Sequence, residues 1–167
     1  MSFIPTTLPV DPAEQLLSDL EAWRRRFEHG ELRPAMPGRP LLATDERFAV
    51  DLGQVRAAGL GRRAAGGILH ATDRRLVVLG RGQHPVRTWR LTHLAAVRAL
   101  GNWGGLTLVH GSGDTELVVS AGPEPPTWQD AAGWLKVEAA FASASGCLAQ
   151  WAAELPERLA LAVGAYA

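Results

Sequence analysis

The sequence predicts an α+β fold: a seven-stranded antiparallel β-sandwich or partly open barrel, capped by a C-terminal helix and flanked by extra helices at both ends of the chain. Two changes of period predict it. Apolar residues recur at helical spacing before Gly30 and again after Thr127, and between them, from residue 41 to about 120, the period is two. A third observation fixes the class: no helix-length segment separates the β-rich runs, so βαβ units and a parallel sheet are excluded.

The first ten residues, with Pro5 and Pro9, read as an extended arm. Asp11 then caps a helix, Pro12 suits its first position, and Glu14 completes a D-x-x-E box. Leu16, Leu20, Trp23 and Phe27 follow as one apolar stripe, and Arg24, Arg25 and Arg26 near the helix end complement its dipole. Gly30 stops the helix, and Pro34, Pro37, Gly38 and Pro40 mark a linker. Seven strands are expected at 46–55, 67–71, 75–80, 86–91, 95–100, 106–110 and 115–120, joined by turns such as Thr72-Asp73-Arg74 and Gly111-Ser112-Gly113. A second capping box, Thr127 with Asp130, opens a helix to about Ser145. Gly146 bends the chain, Pro156 is expected to force a break, and a short terminal helix carries Leu159, Leu161 and Val163. The expected divisions are residues 1–40, 41–145 and 146–167.

Composition narrows the function classes. Seventeen basic and seventeen acidic residues give zero formal net charge, against the basic excess of a nucleic-acid binder. The charge is uneven: residues 41–121 hold ten bases and six acids, a local balance of +4. Cys147, the single cysteine, forms no internal disulfide, and the first basic residue is Arg24, so no secretory leader is legible. The closing run 159–167 is far short of the ~20 residues that span a bilayer. A cytoplasmic protein without a transmembrane segment is the expectation.

The segment Gly67-Ile68-Leu69-His70-Ala71-Thr72-Asp73-Arg74-Arg75-Leu76 resembles the G-x-L-x-x-T-x-x-R-L hairpin of bacterial pleckstrin-homology-like and GRAM-like domains. The preceding Asp45-Glu46 is similar to the G-E that opens those domains, with Thr44 in place of the glycine. The resemblance covers about residues 41–145. It implies a PH-like sandwich, a non-catalytic binding role and, as the best-known ligand class, phosphoinositide head groups held by basic residues of the first hairpin. Here that hairpin offers Arg56, Arg62 and Arg63 on an expected loop, but the adjacent Arg62-Arg63 pair lacks the alternation that sets two cations on one strand face.

Other constellations are weaker. His70, His84, His93 and His110 are spaced by 14, 9 and 17 residues, which matches no metal-ligand pattern, so neither a metal nor a cofactor is expected. His110-Gly111-Ser112-Gly113-Asp114 is a hairpin turn, not a nucleophile elbow. Gly59-Leu60-Gly61 lacks the third glycine of a dinucleotide loop and no helix follows it.

The helix from Thr127 is the most informative element, because it has two apolar sides. Trp128, Leu135 and Ala139 group on one; Trp134, Val137, Phe141 and Leu148 group on the other. The second stripe is buried either by the chain's own helices or by another subunit. Trp103, at the tip Gly101-Asn102-Trp103-Gly104-Gly105, either folds into the core or makes a contact. The resulting expectation is a non-catalytic PH-like module that binds a protein or itself, as a homodimer through Trp134, Val137, Phe141, Leu148 and Trp103. The alternatives are a module with weak affinity for anionic lipid through Arg56, Arg62 and Arg63, and a small barrel enzyme or carrier using His70 and His110.

Overall fold

The structure, a computed structural model, describes residues 11–31, 42–122 and 124–166. The expected N-terminal arm and the proline-rich linker lie outside the described residues. Helix α1 (Pro12–Glu28) begins as its sequence dictates: the Asp11 carboxylate accepts from the Ala13 N–H, and Pro12 stands at the start. Its stripe Leu16, Leu20, Trp23 and Phe27 is buried throughout.

Seven strands follow: β1 (Phe48–Gly59), β2 (Arg62–Thr72), β3 (Arg75–Leu79), β4 (Pro85–Arg90), β5 (Leu94–Ala99), β6 (Gly105–His110) and β7 (Thr115–Ser120). They form one antiparallel sheet in the order β4-β3-β2-β1-β7-β6-β5. All chain neighbours pair except β4 and β5, which a single helical turn at Leu91–His93 separates, so the sheet is open at that corner. The inward row holds Leu69, Ala71, Leu76, Val78, Trp89, Leu106, Leu108 and Val118.

The first hairpin is longer than the sequence suggests. The expected second strand opens at Gly67, yet β2 begins earlier, at Arg62, and runs through Gly66 and Gly67. A Cβ on Gly67 would fall well inside contact distance of the Leu79 carbonyl oxygen, so the glycine permits close approach of β3 and does not interrupt the strand. The turn is only Leu60-Gly61, both left-handed (φ 57° and 65°), the geometry of a tight two-residue hairpin.

Helix α2 (Trp128–Ala144) crosses the sheet against β1 and β5, with Gly133 seated over the Leu52 side chain. Leu135, Ala131 and Ala139 are buried; the side chain of Trp128 lies outside the described residues. Helix α3 (Leu148–Tyr166) follows a turn at Gly146 (φ 73°). The break expected at Pro156 does not occur. Trp151, Leu155 and Leu159, spaced by four, are all buried, and that continuous stripe outweighs the one backbone hydrogen bond that proline removes.

Both flanking helices pack on α2 and on each other, and a single core cluster runs through α1, the sheet, α2 and α3. Trp134 (3% exposed) and Val137 (0%) are therefore covered within the chain, and Trp103 folds back into the same core in a left-handed conformation (φ 58°). This corrects the expected subunit interface for those three residues: the neighbouring helices already supply the apolar cover. Phe141 and Leu148 are half-buried against the same cluster. The architecture is the PH-like plan, seven antiparallel strands and a C-terminal helix, with α1 and α3 added.

Candidate functional site

The turn between β2 and β3 is built around a buried carboxylate. Glu46 (1% exposed) precedes β1 and reaches the turn, accepting from Thr72 Oγ1 at 2.6 Å, Arg75 Nε at 2.9 Å and the Ala43 N–H at 2.9 Å. Burial works against its ionised form, but these donors outweigh it and hold the Glu46 carboxyl below the ordinary glutamate value. Thr72 Oγ1 in turn accepts from the backbone N–H groups of Arg74 and Arg75. Beside it, Asp73 accepts from the Arg47 N–H at 2.8 Å and from Arg47 Nε at 3.1 Å. Arg47 also donates to the carbonyls of Phe27 and Glu28 and lies over the Phe27 ring, so it closes the carbonyl end of α1. The residue types that carry the family resemblance thus form one structural knot.

That knot floors an open cavity of about 810 Å³ at this end of the sheet. Its wall comes from β4 and the turn after it, which contribute Thr88, Arg90 and Thr92, and from the last turn of α2, which contributes Ser143.

Two further buried acids brace other elements. Glu138 (1% exposed) on α2 accepts from the Ala99 N–H of β5, from Trp151 Nε1 on α3, and from both terminal nitrogens of Arg158. That carboxylate raises the pKa of Arg158, against the effect of burial. Glu116 (2% exposed) lies on the inward row of β7, where it accepts from Trp89 Nε1 at 2.7 Å and lies 2.6 Å from His110 Nε2. Sequence reading passed over Glu116 and set Glu138 on a polar flank of its helix, which its burial corrects. Each does leave a signal, a carboxylate where its strand or helix is otherwise apolar: Glu116 alternates with Val118, and Glu138 sits between Val137 and Ala139.

The residues expected to bind an anion lie on strands and not on a loop. Arg56 is on β1, Arg62 and Arg63 open β2, and all three are exposed. Arg62 and Arg63, being adjacent, alternate across the strand. Arg87 of β4 joins them by donating to the Arg63 carbonyl at 2.7 Å. Leu60, which sequence reading did not single out, is 37% exposed at the tip between these arginine-bearing strands.

The histidines do not converge. His110 sits on the inward row beside Glu116, while His70 pairs opposite Val77, on the other face of β2 from Leu69. No group of three His, Cys, Asp or Glu side chains comes together among the described residues. Cys147 is exposed in the turn between α2 and α3.

No protein-family model matches the chain, and no curated protein does. Solved structures similar to it include the N-terminal PH domain of Vps36 (17% identity, TM-score 0.49, covering 71% of this chain and 93% of that one). An activated truncation of Vav1 is similar at 14% identity and TM-score 0.48, over 75% of this chain and 33% of that one. The linker-DH/PH domains of an N-terminally truncated p115-RhoGEF are similar at 16% identity and TM-score 0.43, over 81% and 41%. This chain thus spans about a third of the Vav1 fragment, and its PH-like description stands on its own strand order and helix placement.

Proposed function

We propose that the chain is a non-catalytic PH-like binding module that acts as a single folded unit and meets its partner through the ends of the sheet. One observation carries this reading: the acids in its interior are cross-braces. Glu46, Glu116 and Glu138 are each held by donors from two or more separate elements. Buried carboxylates engaged in this way stabilise a scaffold, and recognition falls to the exposed groups around the loops and turns. The joining of Glu46, Thr72 and Arg75 also supports the finer affinity with GRAM-like domains. Assembly through the helical layer, with Phe141 and Leu148 as the half-buried remainder of that stripe, is the weaker version of the same reading. Light scattering after size exclusion tests it. A monomer is expected, and a stable dimer that Phe141→Asp converts to a folded monomer would restore the self-association version.

A second reading has its own support. Leu60 stands exposed at the tip of the first hairpin, with Arg56, Arg62 and Arg63 behind it and Arg87 beside them. An apolar tip backed by cations suits the boundary of an anionic membrane. No helix among the described residues is long and apolar enough to cross one, so such contact would be peripheral. Flotation with phosphatidylserine vesicles tests this. Binding that is lost at high salt and in Arg62→Gln/Arg63→Gln is the expected result, and salt-independent binding counts against it.

A further inference from the structure

We infer that the cavity floored by the β2–β3 turn is an oxyanion site that takes a phosphoryl group between Arg74 and Arg90. It goes beyond the readings above and lies at the other end of β2 from Arg62, roughly 30 Å away at a rise of about 3.3 Å per residue.

The charge count comes first. Among the described residues the cavity is lined by four arginines, Arg47, Arg74, Arg75 and Arg90, and by the carboxylates of Glu46 and Asp73. Asp73 pairs with Arg47 and Glu46 with Arg75, which leaves a surplus of two positive charges. Arg74 and Arg90 carry that surplus: both are exposed, and neither makes an ion pair with a described residue. The backbone holds them together, because the Arg74 carbonyl accepts from the N–H of Leu91, next to Arg90.

The strand register adds an independent sign of a missing anion. Arg75 and Arg90 stand directly opposite each other on β3 and β4. Like charges in that arrangement repel, and Glu46 offsets only one of them. A phosphoryl dianion beside Arg90 would relieve the repulsion and match the surplus of two. Thr88, Thr92 and Ser143 add hydroxyl donors around the wall. The carbonyl end of α2, at Ser143 and Ala144, is the unfavourable side, so the anion belongs on the β4 side of the cavity. Its size accommodates a small phosphorylated molecule or a lipid phosphate.

The test uses the whole chain with inorganic phosphate and pyrophosphate in titration calorimetry and thermal melts, and phosphatidylcholine vesicles with and without phosphatidic acid. Saturable binding and a raised melting temperature are expected with a soluble anion or with the phosphatidic acid vesicles. Arg74→Gln and Arg90→Gln should each weaken it by roughly tenfold, and Arg62→Gln/Arg63→Gln should leave it unchanged. Because of the repulsion described, Arg90→Gln without ligand should melt no lower than the wild type, which separates lost binding from lost folding. Binding of the free anions alone assigns the site to a soluble phosphorylated ligand, and capture by the acidic vesicles that Arg90→Gln abolishes assigns it to a lipid phosphate. No binding to any of these probes, or binding indifferent to Arg74→Gln and Arg90→Gln, overturns the inference. Vesicle binding lost only in Arg62→Gln/Arg63→Gln overturns it too, while supporting contact through the opposite end.

Discussion

Glu46 shows how one side chain links sequence motif to fold. Its carboxylate joins the approach to β1 to the β2–β3 turn, and its folded-state pKa is depressed because Arg75, Thr72 and the Ala43 N–H outweigh burial. A depressed carboxylate pKa stabilises the fold above the unfolded value of about 4.3, and that stability is lost as pH falls through the lower folded value. Glu46→Gln should therefore flatten the acid limb of stability in urea titrations below about pH 5, and cost about 2 kcal/mol at neutral pH. An unchanged acid limb would remove Glu46 from the acid response. Leu60 makes the opposite case. A leucine at φ 57° costs roughly 1 kcal/mol, and its exposed tip position gives little packing in return. Leu60→Asn, which suits the first position of this turn, should raise stability by about 0.5–1 kcal/mol in urea denaturation. If Leu60 touches a membrane, the same change should also weaken vesicle flotation.

At the scale of elements, two apparent breakers sit inside regular structure. Pro156 lies within α3 with its ring exposed, and the helix continues because Trp151, Leu155 and Leu159 are buried on the other side. Pro156→Ala restores a backbone hydrogen bond and should stabilise the chain by up to about 3 kcal/mol, read as a higher urea midpoint. Gly67 is the reverse, a glycine the packing requires. Gly67→Ala would push a methyl group into the Leu79 backbone, and should cost about 1–3 kcal/mol and shift the amide resonances of β3. The proline signal was plain in the sequence, and it misled because propensity is local. The seven strands were legible from alternation alone, but the length of the first hairpin was not. Gly67 within it is required by a neighbour twelve residues on in sequence, Leu79 of β3.

Across the whole molecule, α1 and α3 are part of the core. Phe27 (0% exposed) stacks on Trp23 at 5.0 Å and lies beneath the Arg47 guanidinium, whose nitrogens hold the end of α1. Phe27→Ala should lower stability by about 3–5 kcal/mol in a single cooperative transition, with no change of mass by light scattering. A separate early transition would show that α1 detaches from the sheet.

The sequence by itself determined the fold class, the order of the elements and the apolar face of each, because alternation and helical spacing report on which side of an element water is excluded. It also exposed the two-sided character of α2. Only the tertiary structure decided that the second side of α2 meets α1 and α3, since an apolar stripe is non-directional and accepts any apolar cover. The candidate sites divide in the same way. Arg56, Arg62 and Arg63 were legible as charge, whereas the cavity needed Glu46, Arg74 and Arg90 to be drawn together from the approach to β1, a turn and the end of β4. Charge is written along the chain, but whether a charge is offset or left over depends on neighbours that only the folded register supplies.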